Sequence, residues 1–178
     1  NIDSLLDTYD FQVHTLHNID IVKNNKINVN MKVTDVLLGI DEVESNEINL
    51  SRASEFIFYN IDTNVCNNIV NINNKINAIF RYYGKDLENS VSIKNNEINY
   101  NYEENINESS TFIMLNDLKM NNYMVNIINN KLYAKGCNKK SRFLFYAPTD
   151  LNQTSIIKDN EVSGFNESNN YFKNFNIN

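Results

Sequence analysis

The sequence predicts an α+β fold, an antiparallel β-sheet of hairpins packed against one or two helices, and three observations carry that expectation. The first is a recurring form: an apolar residue, any residue, two asparagines, a charged residue and a second apolar residue. It appears as Val22-Lys23-Asn24-Asn25-Lys26-Ile27 and Ile93-Lys94-Asn95-Asn96-Glu97-Ile98, and Asn73-Asn74-Lys75-Ile76 is a partial copy. Tyr123 to Ala134 carries it too, as two short apolar runs joined at Asn129-Asn130. Asparagine accepts the left-handed backbone that a tight hairpin turn demands, so each copy reads as a hairpin. The second observation is the alternation of Ile27, Val29, Met31 and Val33 with Asn28, Asn30, Lys32 and Thr34, the pattern of a half-buried strand. The third is Leu6, Tyr9, Val13 and Leu16 at the spacing of one helix face, behind Asp3 as a cap.

The remaining elements follow the same logic. Residues 41–47 are acidic and read as a loop, which allows a sub-boundary near 41–49 in an otherwise single soluble domain spanning 1–178. Residues 50–65 present two patterns. Leu50, Ala53, Ile57, Ile61 and Val65 have helical spacing, whereas Glu55 to Tyr59 has strand composition; a cap at Asn49 or Ser51 favours the helix. Ile76, Ala78, Phe80 and Tyr82 form a strand stopped by Gly84. Val91 and Ile93, then Ile98, Tyr100 and Tyr102, form the Asn95-Asn96 hairpin, followed by a polar loop from Glu103 to Ser110. Arg142 to Tyr146 is a strand ended by Pro148. The Asn-Asn turns recur too irregularly for a solenoid, which leaves a meander.

Composition sets bounds on function. The chain has 178 residues, 42% of them hydrophobic, enough for a real core. It carries 38 asparagines and 21 isoleucines against 4 glycines, 1 proline and no tryptophan. Both enriched residues have AT-rich codons, so part of the bias is attributed to base composition. The asparagines are dispersed among apolar residues at strand spacing, which argues for order. A net charge of −6 argues against nucleic acid or an anionic membrane surface as partner. No window reaches the ~20 apolar residues of a membrane span. The chain opens on Asn with no Met, charged or apolar leader segment, which reads as a processed product or as a chain that has lost its beginning. Four Asn-x-Ser/Thr sequons, at Asn49, Asn107, Asn152 and Asn166, match the number that this composition produces by chance.

Candidate chemistry is sparse. On a helix, Asp10, His14 and His17 share a face and could hold a divalent metal ion, though no fourth ligand accompanies them. Cys66 and Cys137 are the only cysteines and form a disulfide candidate in an exporting context, or two free thiols otherwise. Asp41 to Glu44 lacks the alternating oxygens and central glycine of a calcium loop. No phosphate loop, dinucleotide glycine pattern or Gly-x-Ser-x-Gly elbow is present. Tyr82-Tyr83, Tyr100, Tyr102 and Phe145-Tyr146 could line a carbohydrate face, although tyrosine on strands is more often cross-strand packing. No cofactor and no catalytic residue is expected.

The Asn129 to Tyr133 strand and the Asn160 to Phe165 stretch before a last apolar run resemble the soluble headgroup of type IV pilin-like proteins, over residues 50–178. That resemblance implies an exported, non-enzymatic filament subunit whose membrane helix lies upstream. The expectation is therefore a structural or binding subunit of a cell-surface assembly, extracellular, with other protein subunits or a host or surface ligand as partner. The alternative is a β-sandwich adhesion or ligand-binding module of a larger surface or viral protein.

Overall fold

The computed structural model describes residues 14–83, 91–116, 125–137, 141–146 and 156–164. Among them the recurring asparagine form makes corners. In each of the three full copies, and at three further places, a three- or four-residue strand ends, two residues turn, and another short strand begins. Asn73-Asn74, by contrast, has no left-handed residue and leads from strand Ile69–Ile72 into the longer strand Ile76–Tyr83. The corners separate β2 (Ile21–Lys23) from β3 (Lys26–Val29) and β5 (Glu42–Glu44) from β6 (Glu47–Leu50). They also separate β8 (Asn64–Cys66) from β9 (Ile69–Ile72) and β11 (Val91–Lys94) from β12 (Glu97–Tyr100). The last two separate β14 (Val125–Ile128) from β15 (Lys131–Ala134) and β17 (Ile156–Lys158) from β18 (Glu161–Ser163). The first corner residue is left-handed in all six: Asn24, Ser45, Asn67, Asn95, Asn129 and Asp159 have φ between 54° and 58°. The second is not, whereas a type I′ hairpin turn requires positive φ at both. The chain therefore bends instead of reversing.

A third strand closes each coil: β1 (His14–His17), β4 (Val33–Leu38), β7 (Ser54–Tyr59), β10 (Ile76–Tyr83), β13 (Thr111–Asn116) and β16 (Arg142–Tyr146). Every strand pairs in parallel with its equivalent one coil away. The result is three six-stranded sheets: sheet A (β1-β4-β7-β10-β13-β16), sheet B (β2-β5-β8-β11-β14-β17) and sheet C (β3-β6-β9-β12-β15-β18). This is a parallel β-solenoid of six rungs. The expected α+β fold with an antiparallel sheet is overturned, because the described residues contain no helix and no antiparallel pairing. A pilin-like headgroup is α+β, so that resemblance falls with it; Asn129 to Tyr133 is a corner and a parallel strand. A β-sandwich is excluded as the architecture for the same reason.

The core explains the misread helix. Val22, Val43, Val65, Ile93, Ile127 and Ile157 stand in register in sheet B and are at most 4% exposed. Ile48, Val70, Ile98 and Leu132 repeat this in sheet C, and the Phe58 and Phe80 rings stack with centroids 4.8 Å apart in sheet A. All belong to one core cluster. Leu50 ends a sheet C strand, Ile57 lies in sheet A, Ile61 at the next corner and Val65 in sheet B, and all four point into that core. Successive short sides of the coil place Leu50, Ile57, Ile61 and Val65 in the core at intervals of seven, four and four, which imitates a helix face. Residues 41–47, read as a loop, are β5, a corner and the start of β6, and the sheets run through 41–49 without a break. The first expected helix covers Asp3 to Leu16; residues 1–13 lie outside the described residues, and His14–His17 is a strand.

Candidate binding face

Six asparagines second in each corner, Asn25, Asn46, Asn68, Asn96, Asn130 and Asn160, form a ladder along the solenoid. Each of the first five donates its backbone N–H to the side-chain oxygen of the next, at 2.9 to 3.1 Å. Their side-chain amides donate to the same oxygens, at 2.9 to 3.2 Å. The remaining N–H reaches a backbone carbonyl of the preceding rung, as from Asn46 to Val22 and from Asn130 to Ile93. A buried amide thus satisfies corner peptide groups that have no sheet partner.

A second asparagine row lies on the outside. Three positions after the ladder, Asn28, Asn49, Asn71 and Asn99 pair in register on the outer face of sheet C, followed by Tyr133. Each amide donates to the one before it: Asn49 to Asn28 at 3.0 Å, Asn71 to Asn49 at 2.8 Å and Asn99 to Asn71 at 3.0 Å. Two residues earlier on each strand, Lys26, Glu47, Ile69, Glu97, Lys131 and Glu161 form a parallel outer row. Lys26 Nζ lies 2.7 Å from Glu47, and that pairing, chiefly, holds the Glu47 carboxyl below its ordinary range. Asn49 and Asn99 also donate to Glu47 and Glu97 on their own strands, at 3.0 and 3.4 Å. On sheet B, Lys23 sits 3.1 Å from Glu42 and 3.0 Å from Glu44, and the bonds to these carboxylates hold the ammonium above its ordinary range.

A polar hub closes the 101–110 connection between β12 and β13. Glu104 Oε1 accepts from Ser110 Oγ at 2.6 Å and from Tyr100 Oη at 3.2 Å, and Glu104 Oε2 accepts from Ser141 Oγ. Its backbone N–H donates to Gly136 at 3.1 Å. Burial drives the Tyr100 phenol far above its usual range. Burial, with Glu104 adding to it, pushes the Cys137 thiol up to about 12. Ser110 and Ser141 are at most 2% exposed, so the hub is a pin for the connection, with no hydroxyl offered to solvent.

Of the candidates read from sequence, Asp10 lies outside the described residues and His14 and His17 share β1, so the helical spacing that aligned them does not apply. Among the described residues no three His, Cys, Asp or Glu side chains gather as a metal site. Cys66 and Cys137 are free thiols, one in β8 and the other after β15. The outer row escaped the sequence reading, yet it left a signal: Asn25-Lys-Ile-Asn28, Asn46-Glu-Ile-Asn49, Asn68-Ile-Val-Asn71 and Asn96-Glu-Ile-Asn99 share one Asn-x-Ile/Val-Asn pattern. Asn74-Lys-Ile-Asn77 matches it too, but it enters sheet A and is a decoy. Comparison with known proteins finds no family model, no curated protein and no solved structure that matches the chain.

Proposed function

We propose that the chain is a non-enzymatic structural or binding module of a cell-surface assembly, displayed outside the cell, with another protein subunit or a surface ligand as its partner. The observation that carries this reading is the outer face of sheet C, where the solenoid repeats equivalent side chains in register over successive rungs. Stacked rungs fix those side chains at about 4.8 Å intervals on a rigid backbone, so a partner meets a pre-organised surface and little ordering is left for binding to overcome. The chain charge of −6 favours a partner that is neutral or basic. Ligand binding or adhesion of this kind needs a regular face and no sandwich.

The test is accessibility on intact cells of the source. Surface labelling with a membrane-impermeant amine reagent, followed by capture with an antibody to the chain, should recover labelled protein before lysis. Recovery of label only after the cells are opened would end the reading.

A further inference from the structure

We propose that the outer face of sheet C binds a neutral, linear polysaccharide lying along the solenoid axis, with Ile69 and Asn71 at the centre of the site. This rests on the binding reading and names its ligand class. Ile69 is 45% exposed, a large apolar side chain in the middle of a polar face. Its register neighbours are Glu47 on one side and Glu97 on the other. The strands that carry these two glutamates lie about 9.6 Å apart, two strand spacings, so the apolar platform between them has room for one pyranose ring. Sugars are recognised by this combination: C–H faces pack on apolar side chains while hydroxyls donate to carboxylates and bond with planar amides.

The amide row supplies the third component. An asparagine amide has two N–H donors and two acceptor lone pairs. Asn71 donates one N–H to Asn49 and accepts from Asn99, and its strand neighbour two residues back is Ile69 in place of a glutamate. The bonds to Glu47 and Glu97 that engage Asn49 and Asn99 have no counterpart there, so Asn71 keeps an N–H beside the platform. Two rungs further, Tyr133 continues the same row and offers a ring to a second sugar.

Charge selects the ligand. In the outer row Lys26 pairs with Glu47 and Lys131 stands between Glu97 and Glu161, so three carboxylates meet two ammonium groups, and this small excess together with the net charge of −6 disfavours uronate or sulfate groups. Repetition of the amide row at strand spacing selects a chain over a single sugar, since rings beyond the Ile69 platform meet Asn49 and Asn28 on one side and Asn99 and Tyr133 on the other.

The test is calorimetric titration of the full chain with cellohexaose, mannohexaose and chitohexaose, and with oligogalacturonate of similar length. Binding of at least one neutral hexasaccharide is expected, weakened tenfold or more in Asn71→Ala and in Ile69→Ser. Ser92→Ala, on the outer face of sheet B, should leave it unchanged. Ile69 is exposed, so its variant keeps the fold, and circular dichroism checks both. Failure of all three neutral sugars at millimolar concentration overturns the proposal, as does equal or tighter binding of oligogalacturonate, or binding that both variants retain. A chain labelled on intact cells that binds none of these sugars loses this proposal alone; a chain that is not surface-accessible loses the reading beneath it.

Discussion

Asn68 shows what a single residue does in this molecule. It is fully buried, and its side chain meets five polar groups: it donates to Val43, Cys66 and Asn96 and accepts from the backbone and side-chain amides of Asn46. Asn68→Ala strands several of them, each worth about 1 to 3 kcal/mol when buried without a partner. A loss of about 3 kcal/mol in urea unfolding, with an unchanged slope, is expected. Tyr82 is the converse. Its hydroxyl is buried with no hydrogen-bond partner among the described residues, so Tyr82→Phe should raise stability by about 1 kcal/mol in the same assay. Cys137 adds a pH dependence. Its thiol is pushed up to about 12, whereas an unfolded thiol titrates near about 8.5. Between those values the folded chain binds more protons than the unfolded one, so the stability present below pH ~8.5 falls as pH rises towards ~12. Cys137→Ala should flatten that fall in urea midpoints taken across the window.

Among elements, the two-residue corner is the invariant and the other connections are the variables. Successive ladder asparagines are 21, 22, 28, 34 and 30 residues apart, yet each corner has the same length. The extra length enters elsewhere, for example between β10 and β11 and in the 101–110 connection after β12. That connection ends its excursion on Glu104, and Ile106 at its tip is 81% exposed. Removing the carboxylate by Glu104→Ala leaves the Tyr100 and Ser141 hydroxyls without that acceptor and takes away the side-chain anchor of the connection, while the Ile76 carbonyl still accepts from Ser110 and the backbone bond to Gly136 remains. Limited digestion with a glutamate-specific protease should then cut at Glu103 or Glu108 well before the wild type is cut, while far-ultraviolet circular dichroism stays that of the intact sheets.

At the scale of the whole molecule, stability is a sum over rungs and their nearest neighbours. A rung can therefore be removed as a unit if the register is preserved. Excising residues 46–67, one ladder step of 22 residues, joins Ser45 to Asn68 and restores an intact corner. This shortened chain should fold with a β-sheet spectrum and a smaller urea slope, since less surface is buried. Excising only 46–56 joins Ser45 to Ile57, puts a sheet A strand where sheet C belongs and should abolish cooperative unfolding.

The sequence by itself determined part of the local backbone: β segments at Ile27 to Val29, Ile76 to Tyr82 and Val91 to Ile93, though not those within 41–65, and left-handed residues at Asn24, Asn95 and Asn129, because asparagine tolerates positive φ. It also determined which residues are apolar and inward, since Val22, Ile93 and Ile127 lie in the core whether the chain reverses or bends. Only the tertiary structure decided that the chain bends. A hairpin and a corner share their first residue and differ at the second, where Asn25, Asn96 and Asn130 are held by oxygens and carbonyls of neighbouring rungs. Ser45-Asn46 and Asp159-Asn160 lack the paired asparagines, and Asn67-Asn68 is followed by Ile69 instead of a charge, so half of the ladder hid from a motif defined on the other half. The outer row was hidden for the same reason. Asn28, Asn49, Asn71 and Asn99 are separated by whole rungs along the chain, and parallel pairing alone makes them neighbours.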